Sequence, residues 1–260
     1  MSDSANAPPR SFTERLGLSQ GPRPGGGPFI HVPGLISGLI FVMVAMFAVQ
    51  VLLPGVPQRR FEIALAFIPL RFNSEFAAQE GLLGLLVPFI GHIFLHGSVQ
   101  HLVFNALWMA IFGAGVANRM CLESSSGRSR IINTTVFLAF FLASGIAGAT
   151  FFFVMQPQSP VLLIGASGAI SGLMGAAMRF AFRPFTGFPV AIGGLSPITA
   201  RPVLAASAIY IGVNLMTALS AAGFGEPLNI AWEAHIGGYL FGLLAFPVFD
   251  AMVRRPSIRF

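Results

Sequence analysis

Apolar residues in this chain come in long blocks rather than in strand-like alternation. Six blocks can be drawn, at about 34–53, 100–116, 131–155, from Ser167 to a fade near Phe180, 203–222 and 230–252. A helix needs roughly 20 consecutive apolar residues to cross the hydrocarbon of a bilayer, and most of these blocks approach that length. The pattern predicts an all-α, polytopic membrane protein with six transmembrane helices in a single membrane domain over 29–260. The stretch 1–28 is rich in Ser, Pro and Gly and has no apolar run, so it is expected to be a flexible polar tail. Between the first two blocks, 55–97 mixes apolar runs with Glu62, Glu75 and Glu80. It is too broken to span cleanly and suits an amphipathic lobe partly embedded in the membrane interface.

Composition reinforces this picture. The 260 residues are 55% hydrophobic and 9% charged, against about 25% charged in an ordinary soluble domain. All fifteen basic residues are arginine, and they lie between the apolar blocks, which argues for a topological role rather than a nucleic-acid surface. With the N-terminus in the cytoplasm and the blocks alternating, twelve arginines fall on the cytoplasmic side; only Arg59, Arg60 and Arg71 fall outside. That bias follows the positive-inside rule and puts both termini in the cytoplasm. A bacterial cytoplasmic membrane is the expected location. The lone Cys121 cannot form an internal disulfide. No internal repeat supports a transporter of inverted-repeat design.

Polar groups inside a bilayer are costly, so those that occur there are candidates for function. Three clusters stand out. His96, His101 and Asn105 open the second block, with His101 and Asn105 on one helix face. They could donate to a developing oxyanion or simply hydrogen-bond between helices. The run Gly165-Ala166-Ser167-Gly168-Ala169-Ile170-Ser171-Gly172 opens the fourth block. Ser167 could be an N-cap and the glycines ordinary close-packing positions. The apolar run followed by Gly-x-Ser is also similar to a soluble hydrolase nucleophile elbow, but that motif needs glycine where Ala169 stands. The third cluster is His235, with Gly238 and Gly242 three and seven residues on along the same face. Two glycine-notched helices can approach until their backbones nearly touch. That would bring the Ser167 hydroxyl to an imidazole able to take its proton. One catalytic account covers all three clusters, whereas the packing accounts must each hold separately.

These residues resemble the rhomboid protease family. The resemblance rests on His96-x4-His101-x3-Asn105, Gly165-x-Ser167-Gly168 and Ala234-His235-x2-Gly238-x3-Gly242, in order and on the second, fourth and sixth helices. It covers roughly 61–242. It implies an intramembrane serine endopeptidase that cleaves transmembrane segments of protein substrates within the lipid bilayer. Ser167 would be the nucleophile and His235 the base of a dyad. His101, Asn105 and the Ser167 N–H would form the oxyanion hole, and His96 would have a supporting role. Gly165, Gly168, Gly172, Gly238 and Gly242 would allow close helix packing. The fifth helix around 211–222 would be the lateral gate, capped by 223–228. No cofactor, metal or nucleic-acid partner is implied. Two features depart from many relatives: Ser171 stands where an aromatic usually supports the histidine, and 55–97 lacks a Trp-Arg pair.

Three rival readings remain weaker. A catalytically inactive rhomboid-like chaperone would lack the serine or the histidine. A metal-dependent hydrolase could use His92 and His96, spaced four apart, but no His-Glu-x-x-His pattern accompanies them. An aspartyl protease is excluded because the chain's two aspartates, Asp3 and Asp250, lie at opposite ends. Glu233 lies about 200° round a helix from His235 and is expected to point elsewhere.

Overall fold

The computed structural model describes residues 32–182, 194–223 and 231–255. The tail and nearly all of the cap segment 223–228 fall outside that set. Among the described residues the architecture is helical, with no named strand and one isolated antiparallel bridge between Phe67 and Leu163. Its body is built from α1 (Gly34–Leu52), α2 (Val99–Arg119), α3 (Gly127–Met155), α4 (Ser167–Met178), α5 (Arg201–Gly223) and α6 (Trp232–Met252). Of these, α1, α2, α3 and α6 are long and apolar enough to cross a membrane, and α4 is shorter but apolar. Large apolar side chains such as Phe41, Leu52, Phe104, Ile209, Val213 and Met216 are exposed on the outside. In water such a surface would be untenable; against lipid tails it costs nothing. The chain is a multi-pass membrane protein.

Small residues dictate how the centre packs. Nearly every residue of α4 is buried, as expected of a helix apolar on all sides and enclosed by its neighbours. It is packed chiefly between α3 and α6, while α5 makes fewer contacts with either. A methyl group added at Gly238 would lie 2.0 Å from the carbonyl oxygen of Gly168, and one at Gly242 would lie 1.9 Å from that of Gly172. On α4, a methyl at Gly168 would meet the Ala234 carbonyl at 3.3 Å, and one at Gly172 would meet Ser144 Oγ at 2.2 Å. The backbones of α4 and α6 therefore run almost in contact.

The segment between α1 and α2 is more structured than its broken hydropathy suggests. It holds helices at Gly55–Leu65, Ser74–Leu86 and Pro88–Gly91. Gly81, at φ +67°, kinks the second of these. The stretch Ala77–Leu86 is bent by 47° from Pro88–Phe94, so the two together form either a broken span or a re-entrant loop. In place of a Trp-Arg pair, Arg71 donates to the Ile63 carbonyl at 2.6 Å and forms an ion pair with Glu80, tying two of these helices together.

Candidate active site

The chain enters α4 under tight backbone control. Phe67 and Leu163 exchange both N–H···O bonds, at 3.1 and 2.8 Å, and the Gly165 N–H donates to the His92 carbonyl at 2.8 Å. Gly165 has φ +116°, a conformation that a side chain would strain, and a Cβ there would lie 2.7 Å from the His101 ring. This turn delivers Ser167 to the first position of α4. Ala166, not Ser167, occupies the cap position, and no side chain caps the helix. The first N–H groups of a helix have no intrahelical carbonyl, so the N–H of Ser167 has no acceptor within α4.

His235 sits in the first turn of α6, and its Nε2 lies 2.8 Å from Ser167 Oγ. Both residues are half-buried. Its Nδ1 lies 2.9 Å from Asn214 Oδ1 on α5. Glu233 is buried and hydrogen-bonds Gln156 at the end of α3. Ser171, one turn along α4 from the serine, donates to the Ser167 carbonyl and shares a 2.6 Å hydrogen bond with the hydroxyl of Tyr210. Thus Ser171 ties α4 to Tyr210 of α5 through a hydrogen bond.

The His101 ring of α2 also approaches the turn that carries Ser167. Ser98 caps this helix by accepting from the His101 N–H at 3.1 Å. The Gly97 N–H donates to His101 Nδ1 at 3.4 Å, which leaves Nε2 as the protonated nitrogen of a neutral ring. That nitrogen lies against Gly165, close to the serine. Asn105 is buried and directs Nδ2 to the His101 carbonyl at 2.9 Å, with one N–H of that amide left to donate. The His96 ring lies edge-on to His101 at 5.1 Å between centroids. Its backbone N–H and carbonyl are both bound by Gln50 of α1. Burial, helped by the nearby His101, pushes the His96 imidazole down to about 4, so it is neutral at physiological pH. His92 turns Nδ1 to the Pro88 carbonyl at 2.7 Å, and among the described residues no group of three or more His, Cys, Asp or Glu side chains is arranged to hold a metal.

Sequence reasoning passed over Asn214 and Tyr210. Asn214 is a lone amide within the apolar fifth block, and its isolation among aliphatic neighbours was the available signal.

A polytopic helical membrane protein with a serine and a histidine in hydrogen-bond contact between two closely packed helices defines the class. The family model for the Rhomboid domain matches residues 84–250, well over half of the chain, and the chain belongs to the rhomboid family. It is 33% identical over 174 residues to Rhomboid protease GluP of Bacillus subtilis (strain 168), an alignment covering 66% of this chain and 27% of that protein. The chain therefore matches about a quarter of that relative's length.

Proposed function

We propose that this protein is an intramembrane serine endopeptidase that cleaves transmembrane segments of other membrane proteins. The observation that carries this reading is the 2.8 Å contact between Ser167 Oγ and His235 Nε2. A serine hydroxyl attacks a carbonyl only when a neighbouring base removes its proton, and imidazole does so near neutral pH. Ser167 adds to the scissile carbonyl carbon, and its proton passes to His235 Nε2. His235 then returns that proton to the leaving amine, giving an ester on Ser167. Water, deprotonated by the same nitrogen, hydrolyses the ester and restores the serine.

The tetrahedral intermediate places a negative charge on the former carbonyl oxygen. The proposed donors are His101 Nε2–H, Asn105 Nδ2–H and the Ser167 N–H, assisted by the dipole at the start of α4. All are neutral, so they stabilise the charge without burying a cation. His96 supports the His101 ring from the side. Membership of the family and the similarity to a protein named as a protease support the reading. The arginine distribution supports a topology of six spans with both termini in the cytoplasm, the segment 55–97 in the outer interface, and a bacterial cytoplasmic membrane. The substrate would enter laterally beside α5.

Purified protein in detergent micelles, offered a model transmembrane substrate, tests this. Cleavage is expected, with loss of detectable turnover in both Ser167→Ala and His235→Ala. A fluorophosphonate probe should label the native protein at Ser167 and leave both variants unlabelled. Full cleavage by either variant would overturn the assignment.

A further inference from the structure

Asn214 is 7% exposed, on an otherwise apolar stretch of α5. Its amide is held at both ends. Nδ2 donates to the Tyr210 carbonyl one turn back at 2.9 Å, and Oδ1 faces His235 Nδ1 at 2.9 Å. Exchanging the amide's oxygen and nitrogen would set two acceptors against each other at the Tyr210 carbonyl, so the orientation is determined by the hydrogen bonding. An amide oxygen only accepts; Nδ1 must therefore carry the proton. A neutral imidazole has one N–H, which leaves Nε2 with its lone pair directed at Ser167 Oγ, 2.8 Å away. The alternative tautomer would oppose two lone pairs at 2.9 Å and turn Nε2 into a donor, useless as a base.

The amide's own place is fixed by a polar stripe along α5. Ser207, Tyr210 and Asn214 share one face at spacings of three and four. Ser207 hydrogen-bonds the Tyr239 hydroxyl at 2.7 Å, Tyr210 bonds Ser171 at 2.6 Å, and the Tyr210 and Tyr239 rings stack at 4.4 Å. Where α4 and α6 meet through glycines, α5 meets both through hydrogen bonds.

We propose that Asn214 is a positioning residue: its Oδ1 holds His235 in the Nδ1–H tautomer, with Nε2 free to accept the serine proton. This rests on the reading of Ser167 and His235 as the reacting pair. When Nε2 takes the proton, Nδ1–H stays bound to Oδ1, which stabilises the imidazolium. No proton passes to the amide, which is not a base.

Two variants of the full chain and one spectrum test this. Asn214→Leu keeps the branched heavy-atom outline and removes the acceptor, whereas Asn214→Asp keeps an oxygen facing Nδ1. Asn214→Leu is expected to lower kcat about tenfold, with KM and the thermal unfolding midpoint little changed, and Asn214→Asp to recover most of that loss. In protein carrying ¹⁵N-labelled histidine, the His235 resonances, identified by their disappearance in His235→Ala, should show a protonated Nδ1 and an unprotonated Nε2. An Nε2–H tautomer in the native protein would overturn the proposal whatever the variants do. So would unchanged kcat in Asn214→Leu, or equal losses in the Leu and Asp variants. Should native protein cleave nothing and Ser167 resist labelling, the protease reading falls, and the spectrum still decides the Asn214 bond.

Discussion

In the proposed mechanism, His101 is the residue whose removal separates charge stabilisation from nucleophile activation. Its Nδ1 accepts from Gly97 and its Nε2 lies against the turn at Gly165, so an alanine there removes a donor without touching the Ser167–His235 contact. His101→Ala is expected to reduce kcat by about 10²–10³-fold, the usual cost of one oxyanion donor. Labelling of Ser167 by a reagent that needs no oxyanion contact should fall far less. The comparison of turnover with labelling rate checks this, and parallel loss of both would assign His101 to folding instead. At this scale the sequence was partly legible. Histidine, asparagine and serine inside apolar blocks are visible because lipid penalises them. Asn214 was equally polar but stood alone, and nothing in one dimension tied it to a residue 21 positions away.

Among the helices, the contact between α4 and α6 admits the least change. Gly238→Ala would drive a methyl group into the Gly168 carbonyl, and backbone cannot yield as a flexible side chain can. Overpacking of a close-fitting site costs about 1–3 kcal/mol, and here it would also widen the gap between Ser167 and His235. The expected outcome is a lower thermal midpoint together with severe loss of turnover. A variant that kept native stability and turnover would show that this approach is not required. By contrast, Tyr210→Phe removes one hydrogen bond of the α5 stripe and leaves the stacked ring. It should cost about 1 kcal/mol at most in stability, read from the unfolding midpoint in detergent. The glycine spacing on α6 was readable from sequence. The α5 stripe was not, because Ser207 and Tyr210 are ordinary residues until Tyr239 and Ser171 are seen beside them.

Over the whole molecule, the proposed catalytic residues and a buried ion pair occupy opposite ends. Ser167, His235 and His101 lie in the opening turns of α4, α6 and α2, while Arg119 and Asp250 lie near the far ends of α2 and α6 and form a buried ion pair at 2.7 Å. Arg255 also binds Asp250, at 2.6 Å. Breaking a buried pair leaves an uncompensated charge and costs about 3–5 kcal/mol. Asp250→Asn should therefore lower the unfolding midpoint markedly while leaving KM of the folded fraction unchanged; a shift in KM at unchanged stability would contradict the anchoring role. Apolar block length and the shortage of charge determined from sequence alone that the chain is helical and membrane-embedded, because each helix satisfies its own backbone in lipid and so announces itself locally. The same local logic exposed the polar residues and the glycine notches. The tertiary structure alone decided that Ser167 and His235 lie 2.8 Å apart, that Asn214 faces the other ring nitrogen, and that Arg119 meets Asp250 across 131 positions. Those are contacts between helices, and a contact between helices depends on how the whole set packs, which no single segment encodes.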